Sequence, residues 1–162
     1  MLMRRFITLI MLTVAVCVSA QKVKYKGSST AGCNVAFTVE KQDGKYYLYA
    51  EIKSQKQRFA KNVTLKMKNF RNEVITLNGE MLTSDSETSG VIISYLVIPY
   101  TTYSSTAVFL VRPDQFAAMS SGIQKIQMNT VPEIHERRFL KDKIGKKLYR
   151  LYEIAYSKSS EF

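Results

Sequence analysis

A nucleophile needs a base beside it, and this chain has one histidine, His135, to serve as that base. A Ser-His-Asp or Cys-His arrangement would have to use it. Cys33 is the thiol that could join it, but Cys33 falls in phase with Val35, Phe37 and Val39 on a strand face expected to be buried. His135 lies instead in residues 133–139, which follow Pro132 and read as a sheet edge or a loop. Glu133 and His135 share a face if that run is extended, giving two metal ligands where zinc takes three or four. With Glu136, Arg137 and Arg138 adjoining, the simpler reading is a solvated cluster of mutually screened charges. Asp85 and Glu87 form a close acid pair in residues 84–90, read as an exposed acidic loop, and could supply the two carboxylates of a glycoside hydrolase. Gly27, Gly32 and Gly44 have neither the spacing nor the following helix of a phosphate-binding loop. The expectation is therefore no catalytic, metal-ligating or cofactor-binding residue and a protein that is not an enzyme, with a hydrolase using Asp85, Glu87 or His135 as the third-ranked reading.

Charge gives a different signal. The formal net charge is +11, which should draw polyanions or an anionic membrane surface with strong salt dependence. The densest cluster is Lys141, Lys143, Lys146, Lys147 and Arg150. Aromatic residues beside it, Tyr149, Tyr152 and Tyr156, suit the rim of a helix packing face better than a base-stacking platform, so no specific nucleic-acid recognition is expected. Tyr47 and Tyr49 stand on the outer face of a hairpin, where a protein or glycan could meet them. The candidate binding residues are thus Tyr47, Tyr49, Lys143, Lys146, Lys147 and Arg150. The first reading is a binding or adaptor protein that contacts a protein or cell-envelope component; the second is electrostatic binding of an anionic polymer or membrane surface through the basic C-terminal helix.

The elements that would position these residues are mostly strands. Residues 33–53 read as a hairpin turning at Asp43-Gly44, a dipeptide suited to a two-residue type I′ turn. Counting outward from the turn, Val39 faces Leu48, Phe37 faces Ala50 and Val35 faces Ile52 on an apolar side. Glu40 faces Tyr47 and Thr38 faces Tyr49 on the other side. Val63, Leu65 and Met67 alternate with polar residues as a third half-buried strand. A second hairpin is expected at Asn78-Gly79, residues 91–99 (VIISYLVIP) as a buried central strand, and residues 100–106 as a turn. Pro113 and Asp114 open a short helix near 113–121. Leu140, Ile144, Leu148, Leu151 and Ala155 recur at helical spacing, predicting a C-terminal helix over 141–156. The fold class expected is mainly β, a β-sandwich of immunoglobulin-like or similar type with these two helices.

At the N-terminus Arg4 and Arg5 precede an apolar run from Phe6 to Val18, with Ala20 fitting a signal-peptidase site. The run is short for a membrane span. Residues 1–20 are read as a signal peptide, residues 21–162 as a single domain, and the protein as exported, periplasmic or secreted, with no transmembrane segment after cleavage. A lipid anchor on Cys17 is the alternative to cleavage after Ala20. Cleavage leaves Cys33 as the only cysteine, so no internal disulfide is possible. The run PDQFAAMSSGIQKIQMNTVPEIHERRFLKDKIGKKLY, residues 113–149, resembles the C-terminal part of small exported proteins of Bacteroidetes of unestablished function, in its Asp-Gln helix, its Ser-Gly-Ile-x-Lys-Ile strand and its closing Lys-Asp-Lys-Ile-Gly-Lys-Lys-Leu segment. The resemblance implies an exported all-β domain and carries no site residues with it.

Overall fold

The computed structural model describes residues 21–27 and 33–158; the expected signal peptide and Cys17 lie outside them. Strands β1 (Val23–Lys26), β2 (Asn34–Gln42), β3 (Lys45–Ser54), β5 (Asn62–Asn69), β6 (Val74–Ile93), β7 (Leu96–Val111), β8 (Ile123–Met128) and β10 (His135–Arg138) form one antiparallel sheet. Their order across it is β1-β2-β3-β7-β6-β5-β8-β10. Two short strands, β4 (Arg58–Phe59) and β9 (Thr130–Val131), pair separately. Helices α1 (Pro113–Met119) and α2 (Gly145–Ser157) are the remaining elements among the described residues.

The mainly β composition and both helices follow the sequence expectation, but the sandwich does not. A single sheet curls into a half-barrel and buries its own concave face, so no second facing sheet is needed. Period-2 alternation predicts a half-buried strand without saying whether another sheet or the far side of the same sheet covers it. The buried set runs around the curl, from Val35, Phe37, Leu48 and Ile52 through Phe109 and Leu77 to Leu65, Met67, Ile126 and Met128. The Asp43-Gly44 turn and its register are as expected, with Asp43 and Gly44 at φ 50° and 74° and Val39, Phe37 and Val35 opposite Leu48, Ala50 and Ile52.

The two helices close the end of the curl where Tyr46 lies. The Tyr152 ring stacks on Phe116 at 4.8 Å and meets Tyr46 edge-on at 4.8 Å, so α2, α1 and β3 share one aromatic contact. Helix α2 starts at Gly145, four residues later than expected. Asp142 decides that start: its carboxylate accepts from the amides of Ile144, Gly145 and Lys146, and from Ile123 at the start of β8. These four donors hold the Asp142 carboxyl below its usual range against the opposing effect of burial. Gly145 is needed because a Cβ there would stand 2.5 Å from the Met119 carbonyl oxygen and 2.7 Å from the Ile123 nitrogen.

The largest departure lies between residues 74 and 111. No turn occurs at Asn78-Gly79; β6 continues through it to Ile93 and returns as β7 after a turn at Ser94-Tyr95. Gly79 is a glycine for space. A Cβ there would meet the Val108 carbonyl oxygen at 2.1 Å and the Phe109 ring at 2.6 Å. The expected loop 84–90, the expected central strand 91–99 and the expected turn 100–106 are all parts of this one long hairpin. Gly79→Ala should cost about 1–3 kcal/mol of stability by overpacking, read as a lower midpoint in urea unfolding; an unchanged midpoint would contradict the close approach.

Candidate functional site

Two places gather the residues that sequence singled out. The first is the seam where the curled sheet's edge strands β1 and β10 come together. Tyr25 on β1 donates its hydroxyl to His135 Nε2 on β10 at 2.8 Å. The other ring nitrogen, Nδ1, lies 3.2 Å from the Gln57 side-chain oxygen, and Cys33 Sγ lies 3.6 Å from that oxygen and 3.9 Å from Nδ1. The amide oxygen can only accept, so Nδ1 carries the proton and the lone pair is on Nε2, where Tyr25 uses it. All of these side chains are buried, His135 at 2 % exposure. The solvated cluster expected around His135 is therefore corrected: alternation along β10 turns His135 into the core and leaves Glu136 and Arg138 outside.

The structure thus brings Cys33 and His135 together, in a form unsuited to nucleophilic chemistry. The imidazole nitrogen nearest the thiol is a donor and cannot take its proton. Burial pushes the Cys33 thiol up, with the Ser54 hydroxyl and the Gly27 amide only partly offsetting it. Burial, assisted by the Arg137 charge, pulls His135 down. Both groups are held neutral, opposite to the thiolate–imidazolium pair that a cysteine nucleophile uses. Among the described residues no group of three or more His, Cys, Asp or Glu could hold a metal. The Tyr25 ring stacks on Phe37 at 6.1 Å and meets Phe139 edge-on at 5.4 Å, so the seam is packed as well as hydrogen-bonded.

The second place is the outer half of the β6–β7 hairpin. β5 follows β6 only to Glu80, and β3 follows β7 only as far as Tyr103. Beyond a bulge at Met81/Thr83 the two strands continue alone to Ile93 and Leu96, a ribbon of roughly 35 Å at strand rise. Its root is held by Met81 N–H to the Lys61 carbonyl at 3.1 Å and by the Arg58 guanidinium over the Tyr103 ring at 5.5 Å. Its stem is hydroxyl-rich and carries Asp85 and Glu87 on one face, with Thr88 and Thr101 hydroxyls 3.0 Å apart on the other. Its tip is apolar on both faces: Val91, Ile92, Ile93, Leu96, Val97 and Ile98 are all exposed. Tyr95 at the apex is fully exposed.

The turn itself is costly. Ser94 and Tyr95 sit at φ 48° and 68°, both left-handed, which costs about 1–2 kcal/mol for a side chain bearing a Cβ. The other tight turns use residues that tolerate this region: Asp43 and Gly44 in one, Asn72 in another. An apex that keeps Tyr95 in place of glycine sacrifices local stability for an aromatic tip.

The expected binding residues are scattered. Tyr47 and Tyr49 are half-buried on the convex face of β3, and burial, with Glu40 and Tyr47 adjoining, raises the Tyr49 hydroxyl. Lys146, Lys147 and Arg150 are exposed on α2, and Lys143 is exposed just before it. Asp85 and Glu87 stand on the ribbon stem, not in a loop. Sequence reasoning missed Tyr25, Gln57 and the whole tip. One signal for the tip was available: between Arg71 and Arg112 there is no lysine or arginine, in a chain that has 24. No protein-family model, curated protein or solved structure matches the chain.

Tyr25→Phe leaves the His135 lone pair buried without a donor and should cost about 1–3 kcal/mol. The pH dependence follows from the lowered His135. The unfolded chain takes up the proton first as pH falls through about 6.5, the ordinary histidine value, so stability is complete above that pH and declines below it until the folded protein also binds the proton. Thermal melts from pH 8 to 5 should show the decline in the native chain and a flatter profile in His135→Gln; parallel profiles would contradict a neutral buried His135.

Proposed function

We propose that this chain is an exported, non-enzymatic binding protein that meets its partner through the tip of the β6–β7 arm. The observation that carries this is the ribbon itself: two strands unsupported by the rest of the sheet, ending in aliphatic side chains and a tyrosine held in a left-handed turn. A two-stranded ribbon in water is marginal unless something packs on it, and contiguous exposed apolar surface marks a contact site. The chain carries no charge from Thr88 through Val111, a stretch that includes the whole tip, so covering the tip requires none of its own charges to be desolvated. The leader-like N-terminus supports export, as does the likeness of residues 113–149 to small exported proteins of Bacteroidetes.

A second reading has its own observation. Leu140 is fully exposed between Arg138 and Lys141, close in sequence to Lys143 and the exposed cations of α2. An exposed leucine among cations suits an anionic polymer or lipid surface.

A photo-crosslinking residue placed in turn at Tyr95, Tyr47 and Arg150 separates these contact surfaces in the producing cells. Adducts are expected at position 95. Adducts only at 150 would favour the basic surface, and adducts only at 47 would move the contact to the sheet face; either would overturn the arm reading.

A further inference from the structure

We infer that the arm's first occupant is a second copy of this chain, paired edge to edge along β6 about a two-fold axis at Thr88; this rests on the arm being the contact surface. Edges of a sheet are normally protected by lysine, proline or a bulge. β1 presents Lys24 and Lys26, with Lys22 just before it, and β10 presents Arg138. The two edges of the arm differ. In a two-residue turn, Ile93 and Leu96 are joined by the turn's own hydrogen bond, and antiparallel alternation then points the backbone of Ile92, Gly90, Thr88, Ser86 and Ser84 outward. The partner of Gly90 is Pro99, so on the β7 side an outward position is filled by a residue with no N–H to offer. On the β6 side, from Thr83 to Ile93, there is no proline, no lysine and no bulge.

That open edge is complementary to itself. Its midpoint is Thr88, an outward-facing residue, so two copies related by a two-fold axis there overlap along the whole of 83–93. In this register Asp85 faces Val91 and Glu87 faces Ser89, and no acid opposes an acid. A register centred on Ser86 would set Asp85 against Glu87, which disfavours it. The centred register also carries the Ile93-Ser94-Tyr95 apex of each copy to Met81 and Leu82 at the root of the other. Leu82 is half-exposed there and has no other evident reason to be apolar. Charge points the same way. The cations lie outside residues 72–111, and antiparallel arms hold the two basic bodies roughly 35 Å apart, far beyond the screening length of about 8 Å at physiological salt. The product is a four-stranded sheet, β7-β6-β6-β7, in place of two marginal ribbons.

The test is sedimentation equilibrium of the full-length chain carrying Cys17→Ser, together with disulfide trapping. The chain should sediment as a dimer. Ser86→Pro removes an outward N–H and leaves the β6–β7 ladder intact; the two-fold applies that loss twice, so the dissociation constant should rise roughly a hundredfold. Thr88→Cys should oxidise to a covalent dimer, because opposed bonded residues have Cα atoms about 5.5 Å apart, within disulfide reach. Ser84→Cys, which would face Ile92, should not. A chain monomeric at all concentrations overturns the pairing, and so does equal trapping at 84 and 88. A monomer that co-sediments with phosphatidylcholine vesicles overturns it in favour of lipid. Ser86→Pro leaves the tip unaltered, so crosslinking at position 95 in that variant judges the arm reading separately.

Discussion

A curled sheet that does not close has two edges, and the core is dry only if those edges meet. Here they meet through side chains. The Tyr25 hydroxyl reaches across to His135, His135 reaches on to Gln57, and Cys33 fills the space beneath. Each polar group in that chain of contacts has a partner suited to its neutral form, which is the condition for burying it without a large penalty. The geometry that looks most like catalytic machinery is thus better understood as a clasp: one histidine tautomer, fixed from both sides, joins the first strand of the sheet to its last.

With the edges clasped, the middle of the sheet is free to do something else. The inner halves of β6 and β7 are ordinary core strands, with Leu77, Ala107 and Phe109 buried. The outer halves leave the body after the bulge at Met81/Thr83, the place where an extra residue bends a strand and increases its twist. Past that point the composition changes as well, from alternating apolar and polar residues to serine and threonine with the acids Asp85 and Glu87, and then to aliphatics on both faces. One pair of strands is both a wall of the barrel and a limb that projects from it.

Sequence gave the first hairpin down to its register because Asp43-Gly44 fixes the turn and the alternation on either side agrees with it. It gave β5, α1 and α2 for the same reason, local pattern and local chemistry pointing one way. It failed from 78 to 106 because two signals there have other causes. Asn78-Gly79 looks like a turn, yet Gly79 serves the close approach of Phe109. Residues 91–99 look like a buried strand, yet they are a turn flanked by exposed arms, with Ser94-Tyr95 in a conformation that serine and tyrosine seldom adopt. The clasp was illegible for another reason: Tyr25, Gln57 and His135 are brought together only by the curl of the whole sheet, and no local pattern encodes that.

Function then turns on whether the β6 edge is truly open and later filled. Residue-resolved amide exchange along 83–93 reads this directly. In dilute protein the amides of Ser84, Ser86, Thr88, Gly90 and Ile92 should exchange fast while those of Asp85, Glu87, Ser89, Val91 and Ile93 are protected, and the outward set should become protected as concentration rises. Fast exchange along the entire segment at every concentration, or protection of all of it in dilute protein, would contradict the account.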